Sequence, residues 1–156
     1  EGGISTPFIV HWPAGIPKKR RNSIVHEPSH LIDLMATFVD ASDAGYPMTY
    51  KGETIHPMEG ISLLPALKGR GLQRESALAF EHHGNLALRD GHWKIVSGYR
   101  KDKPINWELY DMKTDRTELN NLATKKPKKL KELTDKWQAW ADRVGVQPWP
   151  FQKKKK

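Results

Sequence analysis

The stretch "ALAFEHHGNLALRDGHWKIVS", residues 77–97, decides the fold of the second half of the chain. Apolar and polar residues alternate along it with a period of two, as they do in strands that bury one face. Asp90-Gly91 predicts a tight hairpin within it, because Asp-Gly is a strong signal for a two-residue β-turn. The pattern predicts a small antiparallel sheet of four strands, at Ala77–Glu81, Asn85–Arg89, His92–Ser97 and Glu108–Asp111.

An amphipathic helix is predicted to cover this sheet. Its apolar residues recur at helical spacing, at Leu130, Leu133, Trp137, Trp140, Ala141 and Val144. Thr124 is the expected N-cap, and Gly145 stands where a C-cap glycine belongs. The opposite face carries Lys, Glu, Asp and Gln, so one side of the helix should face the sheet and the other the solvent.

The beginning of the chain does not make a domain by itself. A helix is expected to open at Pro28 and is apolar almost all round, so it must be covered on more than one side. Residues 1–40 do not contain an obvious sheet that could cover it. The other predicted elements are a strand at Phe8–Val10, an extended segment at Ser23–Val25, a loop at Gly45–Gly60 and a helical turn at Ser62–Lys68.

Length and composition set outer limits. The 156 residues have room for one modest domain, or for two small pieces that need cover from elsewhere. The absence of cysteine excludes disulfides and thiolate chemistry in these residues. No apolar run is long enough to span a bilayer, so no membrane association is expected. No leader is visible, and the opening Glu1-Gly2-Gly3 is interpreted as the start of a cut chain.

The net charge of +8 raises the question of a polyanionic partner. Much of the excess lies in three runs, Lys18–Arg21, Lys125–Lys129 and Lys153–Lys156. Such runs are usually solvated loops or tails, and no nucleic-acid-binding pattern accompanies them, so a nucleic-acid partner is disfavoured. A stand-alone basic module that binds sulfated glycans or other polyanions stays open as an alternative.

The histidine-rich segment admits two interpretations. Either His82 or His83 could supply a metal ligand together with Glu81 and His92, or Glu81 and His82 could form an acid–base pair. If the strand continued through His82 and His83, their side chains would point to opposite faces and could not share one metal. The favoured interpretation is a polar loop turning at Gly84, with a binding role at the edge of a cleft.

Other polar residues point to structure rather than chemistry. His30, with Asp33 nearby, is expected to be a hydrogen-bonded structural histidine rather than a base. The acid-rich loop of Asp111, Asp115, Glu118 and Asn120 lacks the EF-hand spacing, so turn and capping roles are favoured over calcium binding. No nucleophile motif and no phosphate-binding glycine loop is present, so these residues contain no catalytic centre.

Five segments, in order, resemble type I sulfatases, the arylsulfatase group of the alkaline-phosphatase-like superfamily. They are "EGGISTPFIVHWPAGI", "SHLIDLMATFVDASDA", "MEGISLLPALKG", "LALRDGHWKIV" and "WELYDMKTDRTELNNLA". No single motif is diagnostic, but five in family order and register, from Glu1 to about Trp149, are specific evidence.

The resemblance implies an α+β fragment of an alkaline-phosphatase-like α/β fold. Residues 1–60 would be the end of the large domain, with its final strand, a buried helix and a loop. Residues 61–150 would be the C-terminal subdomain, a four-stranded antiparallel sheet packed by a C-terminal helix, and residues 151–156 a basic tail.

The resemblance also implies hydrolysis of sulfate esters. Family members use a formylglycine, made from Cys or Ser, and a divalent metal that is usually calcium. The residues that carry both would lie upstream of Glu1. They would belong to the N-terminal catalytic part of the same protein, which is the partner that this chain needs. The fragment alone is expected to be inactive and to contribute structure and the rim of the substrate cleft. The substrate would be a sulfate-ester small molecule or a sulfated glycan. Many bacterial members of the family are periplasmic or secreted. A further alternative is that the whole protein is a related phosphatase or phosphonate hydrolase.

The resemblance assigns few site residues to this chain. The family's active-site lysine would fall just before the segment that includes Glu1, Gly2, Gly3 and Ser5, and Ser5 replaces the usual Arg. Two other departures, Ala36 and Arg116, stand where the family has Pro. The family's E-H-x-G-N loop is expected at the cleft rim, which gives the substrate-binding candidates Glu81, His82, His83 and Asn85. Catalytic residues and metal ligands are assigned to no position here.

Overall fold

The computed structural model describes residues 2–150, which form two compact units. One unit comprises residues 7–74, and the other comprises residues 75–150 together with residues 2–6. No helix between residues 2 and 150 is long and apolar enough to cross a membrane. The predicted boundaries at residues 60 and 150 stay a prediction, and the predicted basic tail lies outside the described residues.

The unit of residues 7–74 contains little regular structure. Its elements are a single 3-10 turn at Lys18–Arg20, α1 at Asp33–Ala41, the two-stranded hairpin β1 (Thr49–Tyr50) and β2 (Glu53–Thr54), and α2 at Leu64–Leu67. The hairpin falls in the predicted loop. Lys51 and Gly52 join its strands with φ of 51° and 86°, values that a type I′ turn requires.

Two expectations for this part of the chain were wrong. No strand forms at Phe8–Val10; in the described chain the first strand is β1, and the predicted extended segment Ser23–Val25 joins no sheet. Neither segment finds a neighbouring strand, and Ile9 is 88 % exposed; a strand without pairing partners is not stable in water. The helix begins at Asp33 rather than at Pro28, and the His30 backbone N–H donates to the Asp33 carboxylate over 2.7 Å, closing a turn ahead of it.

Helix α1 is anchored by its polar side. Asp33 is fully buried and accepts a hydrogen bond from the Ile61 backbone N–H at 3.0 Å. The Thr37 hydroxyl accepts one from the Leu63 N–H at 2.9 Å. Gly60 lies so close to the start of the helix that a Cβ would fall 2.1 Å from the Ile32 carbonyl oxygen.

The apolar side of α1 faces outward. Leu31, Met35 and Phe38 are 77 %, 56 % and 64 % exposed. Leu31 lies in the turn just before α1, and Met35 and Phe38 lie within the helix; we call these three residues the open face of α1. Within the described residues nothing buries this face, as expected from a beginning that lacks its own sheet, and an apolar patch of this kind marks a contact surface.

The other unit contains the predicted sheet. Its strands β3 to β6 pair antiparallel in sequence order, and the central register sets Leu88 opposite Ile95 and Ile95 opposite Leu109. The prediction of four strands is confirmed, with ends that differ by at most one residue. The strands are Leu78–His82, Asn85–Asp90, Trp93–Ser97 and Glu108–Asp111.

Helix α3, at Pro127–Val144, covers one face of this sheet. Leu133 and Trp137 are buried against the central strand residues. Thr124 is not the N-cap, because the helix begins at Pro127, and proline suits the first turn, where its missing N–H costs nothing. The C-terminal prediction is confirmed: Gly145 has φ of 73° in the left-handed region.

The opposite face of the sheet carries buried charge. Lys94 is 1 % exposed, and its ammonium pairs with Glu118. Tyr110 lies across from Lys94 in the neighbouring strand, and its hydroxyl donates to Glu108 at 2.8 Å. Burial, that hydrogen bond and the neighbouring carboxylates raise the pKa of Tyr110 to about 12. This polar layer was not predicted.

Candidate functional site

The candidate site is built on the turn between β3 and β4. Strand β3 ends at His82 and β4 begins at Asn85, so His83 and Gly84 form a two-residue turn. Their φ values are 51° and 77°, and positive values at both positions define a type I′ turn. The predicted turn at Gly84 is confirmed.

The turn brings three aromatic rings into one stack. The ring centroids of His82 and His83 lie 4.2 Å apart with planes 18° from parallel. The ring of His83 stacks in turn on Trp149, at 4.6 Å and 16°. The strand does not continue through both histidines, because the left-handed backbone of His83 turns its side chain beside that of His82.

Aromatic side chains also pack against the turn backbone. A Cβ at Gly84 would fall 2.8 Å from Cδ2 of Tyr99 and 3.0 Å from Cδ1 of Trp149. Real Cβ atoms do not approach ring carbons so closely, so this position needs glycine for space as well as for its positive φ.

The side chains of Glu81 and Asn85 hold the turn in place. Oε1 of Glu81 accepts the Gly84 backbone N–H at 2.9 Å. The Asn85 amide donates to the His82 carbonyl oxygen at 3.0 Å and accepts the Tyr99 N–H at 3.0 Å. These bonds give Glu81 a structural task in place of the acid–base pairing with His82 that was considered. We call residues 81–85 with Tyr99 and Trp149 the hairpin tip.

The hairpin tip offers recognition chemistry. His82, His83 and Asn85 are exposed and present ring nitrogens and an amide group at the surface. His92 lies in the turn after β4, at the other end of that six-residue strand, so it cannot converge with Glu81 and His82 on one ion. Across residues 2–150, no group of three His, Cys, Asp or Glu side chains is placed to hold a metal.

The candidates at the beginning of the chain contribute less. Glu1 lies outside the described residues. Gly2 and Gly3 lie in a turn with open space where a side chain would project, and Ser5 is exposed. Their predicted proximity to an upstream lysine stays a prediction.

The structure agrees with a hydrogen-bonded His30 and with turn roles for Asp111 and Asp115, whereas Glu118 forms an ion pair with Lys94. Nδ1 of His30 accepts the Ile32 N–H at 3.3 Å. Burial lowers the pKa of His30, with Arg74 adding to the effect and Asp33 opposing it. The Asp115 carboxylate accepts backbone N–H groups from Leu119 and Asn120, and these bonds lower its pKa.

Sequence reasoning missed Tyr99 and Trp149. Neither lies at a spacing that links it to the histidine segment: Trp149 is far along the chain, and Tyr99 follows the end of β5. Only the folded chain brings them to the turn.

Comparison with known proteins identifies the family. The family model described as N-sulphoglucosamine sulphohydrolase, C-terminal, matches residues 1–142. An uncharacterized sulfatase of Schizosaccharomyces pombe is 27 % identical over 149 residues, which cover 94 % of this chain and 26 % of the relative. An N-acetylgalactosamine-6-O-sulfatase of Bacteroides thetaiotaomicron is 25 % identical over 146 residues, which cover 86 % of this chain and 27 % of the relative.

Solved structures agree on the fold. The crystal structure of Ps i-CgsB matches with a TM-score of 0.61 and 20 % identity, over 84 % of this chain and 27 % of that one. BT4656, solved with its substrate D-glucosamine-2-N,6-O-disulfate, matches with a TM-score of 0.53 and 22 % identity. The match covers 77 % of this chain and 25 % of that one.

This chain spans about a quarter of the length of the curated relatives it matches. The match to a C-terminal family model over residues 1–142 agrees with the resemblance read from the five sequence segments. The chain belongs to the N-sulphoglucosamine sulphohydrolase C-terminal family and is a C-terminal portion of a sulfatase.

Proposed function

We propose that the protein to which this chain belongs hydrolyses sulfate esters, and that this chain supplies its C-terminal support and part of its substrate-binding rim. The observation that carries the proposal is the family match over residues 1–142. The curated relatives cited above are sulfatases, which favours sulfate over phosphate esters and an enzyme part over a stand-alone basic module.

The open face of α1 supports the structural half of this proposal. Three large apolar side chains, at Leu31, Met35 and Phe38, face solvent on α1 and on the turn before it, and the polar side of this helix is already anchored. The remaining three quarters of a sulfatase of the relatives' length would supply the cover. The large α/β domain of the alkaline-phosphatase-like fold is the proposed occupant.

The catalytic groups are proposed to lie outside this chain. A formylglycine would supply the nucleophile, and a divalent cation, proposed to be calcium, would stabilise the charge that builds on the sulfuryl oxygens. The donor set of residues 2–150 does not fit a metal, since no three acidic or histidine side chains converge. The fragment by itself is therefore expected to release no sulfate.

The hairpin tip is the proposed contribution to substrate binding. His82, His83 and Asn85 would contact the leaving group, and Glu81 would hold the turn that presents them. A sulfated sugar is the proposed substrate class, because the relatives include a hexosamine sulfatase and a structure with a glucosamine disulfate. The two exposed histidines support this choice, since their ring nitrogens can bind the hydroxyls of a sugar.

The test uses the intact sulfatase that contains this chain. His83→Ala and Asn85→Ala should lower kcat/KM for a sulfated hexosamine by about tenfold, on the scale of one lost polar or stacking contact. The kcat/KM for a small aryl sulfate should change much less than the kcat/KM for the sulfated hexosamine. His92→Ala is the matched control, since His92 is also exposed and lies beyond the far end of β4. Equal changes on both substrates, or none on either, would contradict a role in leaving-group selection.

A further inference from the structure

A second surface of this chain collects positive charge from two distant segments. Arg20 lies against Gly69: a Cβ built at Gly69 would fall 3.0 Å from Cδ and 3.1 Å from Nε of Arg20. This contact sets the basic run that contains the 3-10 turn beside two further cations that flank Gly69. We call the resulting set the cationic patch; it consists of Lys18, Lys19, Arg20, Arg21, Lys68 and Arg70.

The cationic patch is not neutralised within the fold. Across residues 2–150, none of its six side chains has a carboxylate within ion-pair distance. The nearby Glu27 is engaged with the backbone, since its Oε2 accepts the Leu72 N–H at 2.6 Å. Five of the six side chains are exposed, and the half-buried Arg20 keeps its Nε away from water without a hydrogen-bond partner.

The lysines of α3 behave differently. Lys129, Lys131 and Lys136 pair with Glu132, Asp135 and Asp90. These three lysines of α3 thus have carboxylate partners, whereas the six cations of the patch have none within residues 2–150. An unpaired group of six cations attracts polyanions through the release of their counterions.

The surroundings of the patch suit a sugar. Arg70 lines an open recess of about 490 Å³ together with Ser62 and Gln73. A hydroxyl and an amide can bind sugar hydroxyls, and an arginine guanidinium can bind a sulfate group through two parallel hydrogen bonds. A lysine ammonium also donates hydrogen bonds, but it lacks this planar two-point geometry.

We propose that the cationic patch binds a sulfated glycan chain, separately from the residues that contact the scissile ester. The choice of a glycan over a nucleic acid rests on the proposed function, in which the substrate itself carries sulfate groups. The patch would hold sulfated units of a glycan and so raise the local concentration of substrate.

The experiment measures binding rather than sulfate release, so its outcome is independent of whether the enzyme assay succeeds. The wild-type chain is titrated into a fluorescent heparin hexasaccharide at several salt concentrations. Lys19→Gln with Lys68→Gln removes two exposed lysines of the patch. Lys125→Gln with Lys128→Gln removes two exposed lysines near the start of α3 and leaves the same net charge.

The patch variant should bind heparin about tenfold more weakly at low salt, with a salt slope shallower by about two. The control variant should change binding by less than about twofold. Equal losses in both variants would show non-specific attraction and overturn the proposal.

Two further probes identify the ligand class. An unsulfated hyaluronan hexasaccharide should bind far more weakly than heparin, since it lacks sulfate groups. A DNA duplex bound as tightly as heparin, with the same loss in the patch variant, would contradict a glycan site and indicate a nucleic-acid surface instead.

Discussion

The ammonium of Lys94 and the Oε1 atom of Glu118 lie 2.5 Å apart, with 2 % and 16 % of their side chains exposed. Lys94 belongs to a central strand of the sheet, and Glu118 belongs to the loop after the last strand. The pair therefore fastens that loop to the face of the sheet that α3 does not cover.

Removing Glu118 should be costly. Glu118→Ala leaves the Lys94 ammonium buried without its closest carboxylate, and breaking a buried pair in this way typically costs about 3 kcal/mol. Urea unfolding followed by tryptophan fluorescence measures the change. Lys131→Ala is the control, because its pair with Asp135 is 76 % and 62 % exposed and should leave the stability nearly unchanged. A loss no larger than the control's would show that the loop is held by other contacts.

The contribution of Glu118 should depend on pH. Burial alone would raise the pKa of the Glu118 carboxyl, but the hydrogen bond and charge of Lys94 help to lower it below its usual value. A carboxyl with a lowered folded-state pKa stabilises the fold above its unfolded-state pKa, and this contribution is lost as pH falls through the folded-state pKa. The difference in unfolding free energy between wild type and Glu118→Gln should thus be full above about pH 5 and shrink below about pH 4. A difference that stays constant down to pH 3 would contradict the lowered pKa.

Gly84→Ala should destabilise the hairpin tip. The new Cβ would meet Tyr99 at 2.8 Å, at a position with φ of 77°, and the two effects together should cost about 2–3 kcal/mol. Gly91→Ala separates the steric clash from the backbone strain, because Gly91 has φ of 57° and open space around it. Only the backbone cost of about 1 kcal/mol therefore applies to that variant. Thermal unfolding of both variants gives the comparison. Equal losses would mean that the rings move aside without cost.

The open face of α1 should tolerate polar residues in the isolated chain. Leu31→Ser with Phe38→Ser removes exposed apolar surface, so self-association measured by light scattering should fall while the unfolding free energy stays within about 0.5 kcal/mol. Leu133→Ala is the contrast, because Leu133 is completely buried and its truncation should cost about 3 kcal/mol. In the intact sulfatase the double serine variant should instead be destabilised. If it is not, the proposed cover by the large domain is wrong.

The sheet and α3 could be predicted because both form from neighbouring residues. The period-two pattern of residues 77–97 and the spacing of Leu133, Trp137 and Ala141 follow from burial of one face. The strand at Phe8–Val10 could not be judged in this way, because a strand exists only through its partner and no partner is present between residues 2 and 48.

The candidate site was predicted in its sequence but not in its geometry. The segment around His82 and His83 is evident as a polar turn, whereas the ring stack depends on the positive φ of His83 and on Trp149, which is 66 residues further along the chain. The pairs Lys129–Glu132 and Lys131–Asp135 follow from helical spacing, whereas the contact between Arg20 and Gly69 depends on packing. Composition alone therefore could not separate the cationic patch from the lysines of α3.

The hydrogen bonds within the hairpin tip have a thermodynamic consequence. Glu81 and Asn85 already hold their rotamers through bonds to the turn backbone, and His83 is held between two rings. A side chain that must be immobilised on binding costs about 0.5–1.5 kcal/mol in lost rotamer entropy. A ligand that docks at this preorganised surface avoids much of that cost, so its binding should show a smaller entropic penalty than contact with free surface side chains would.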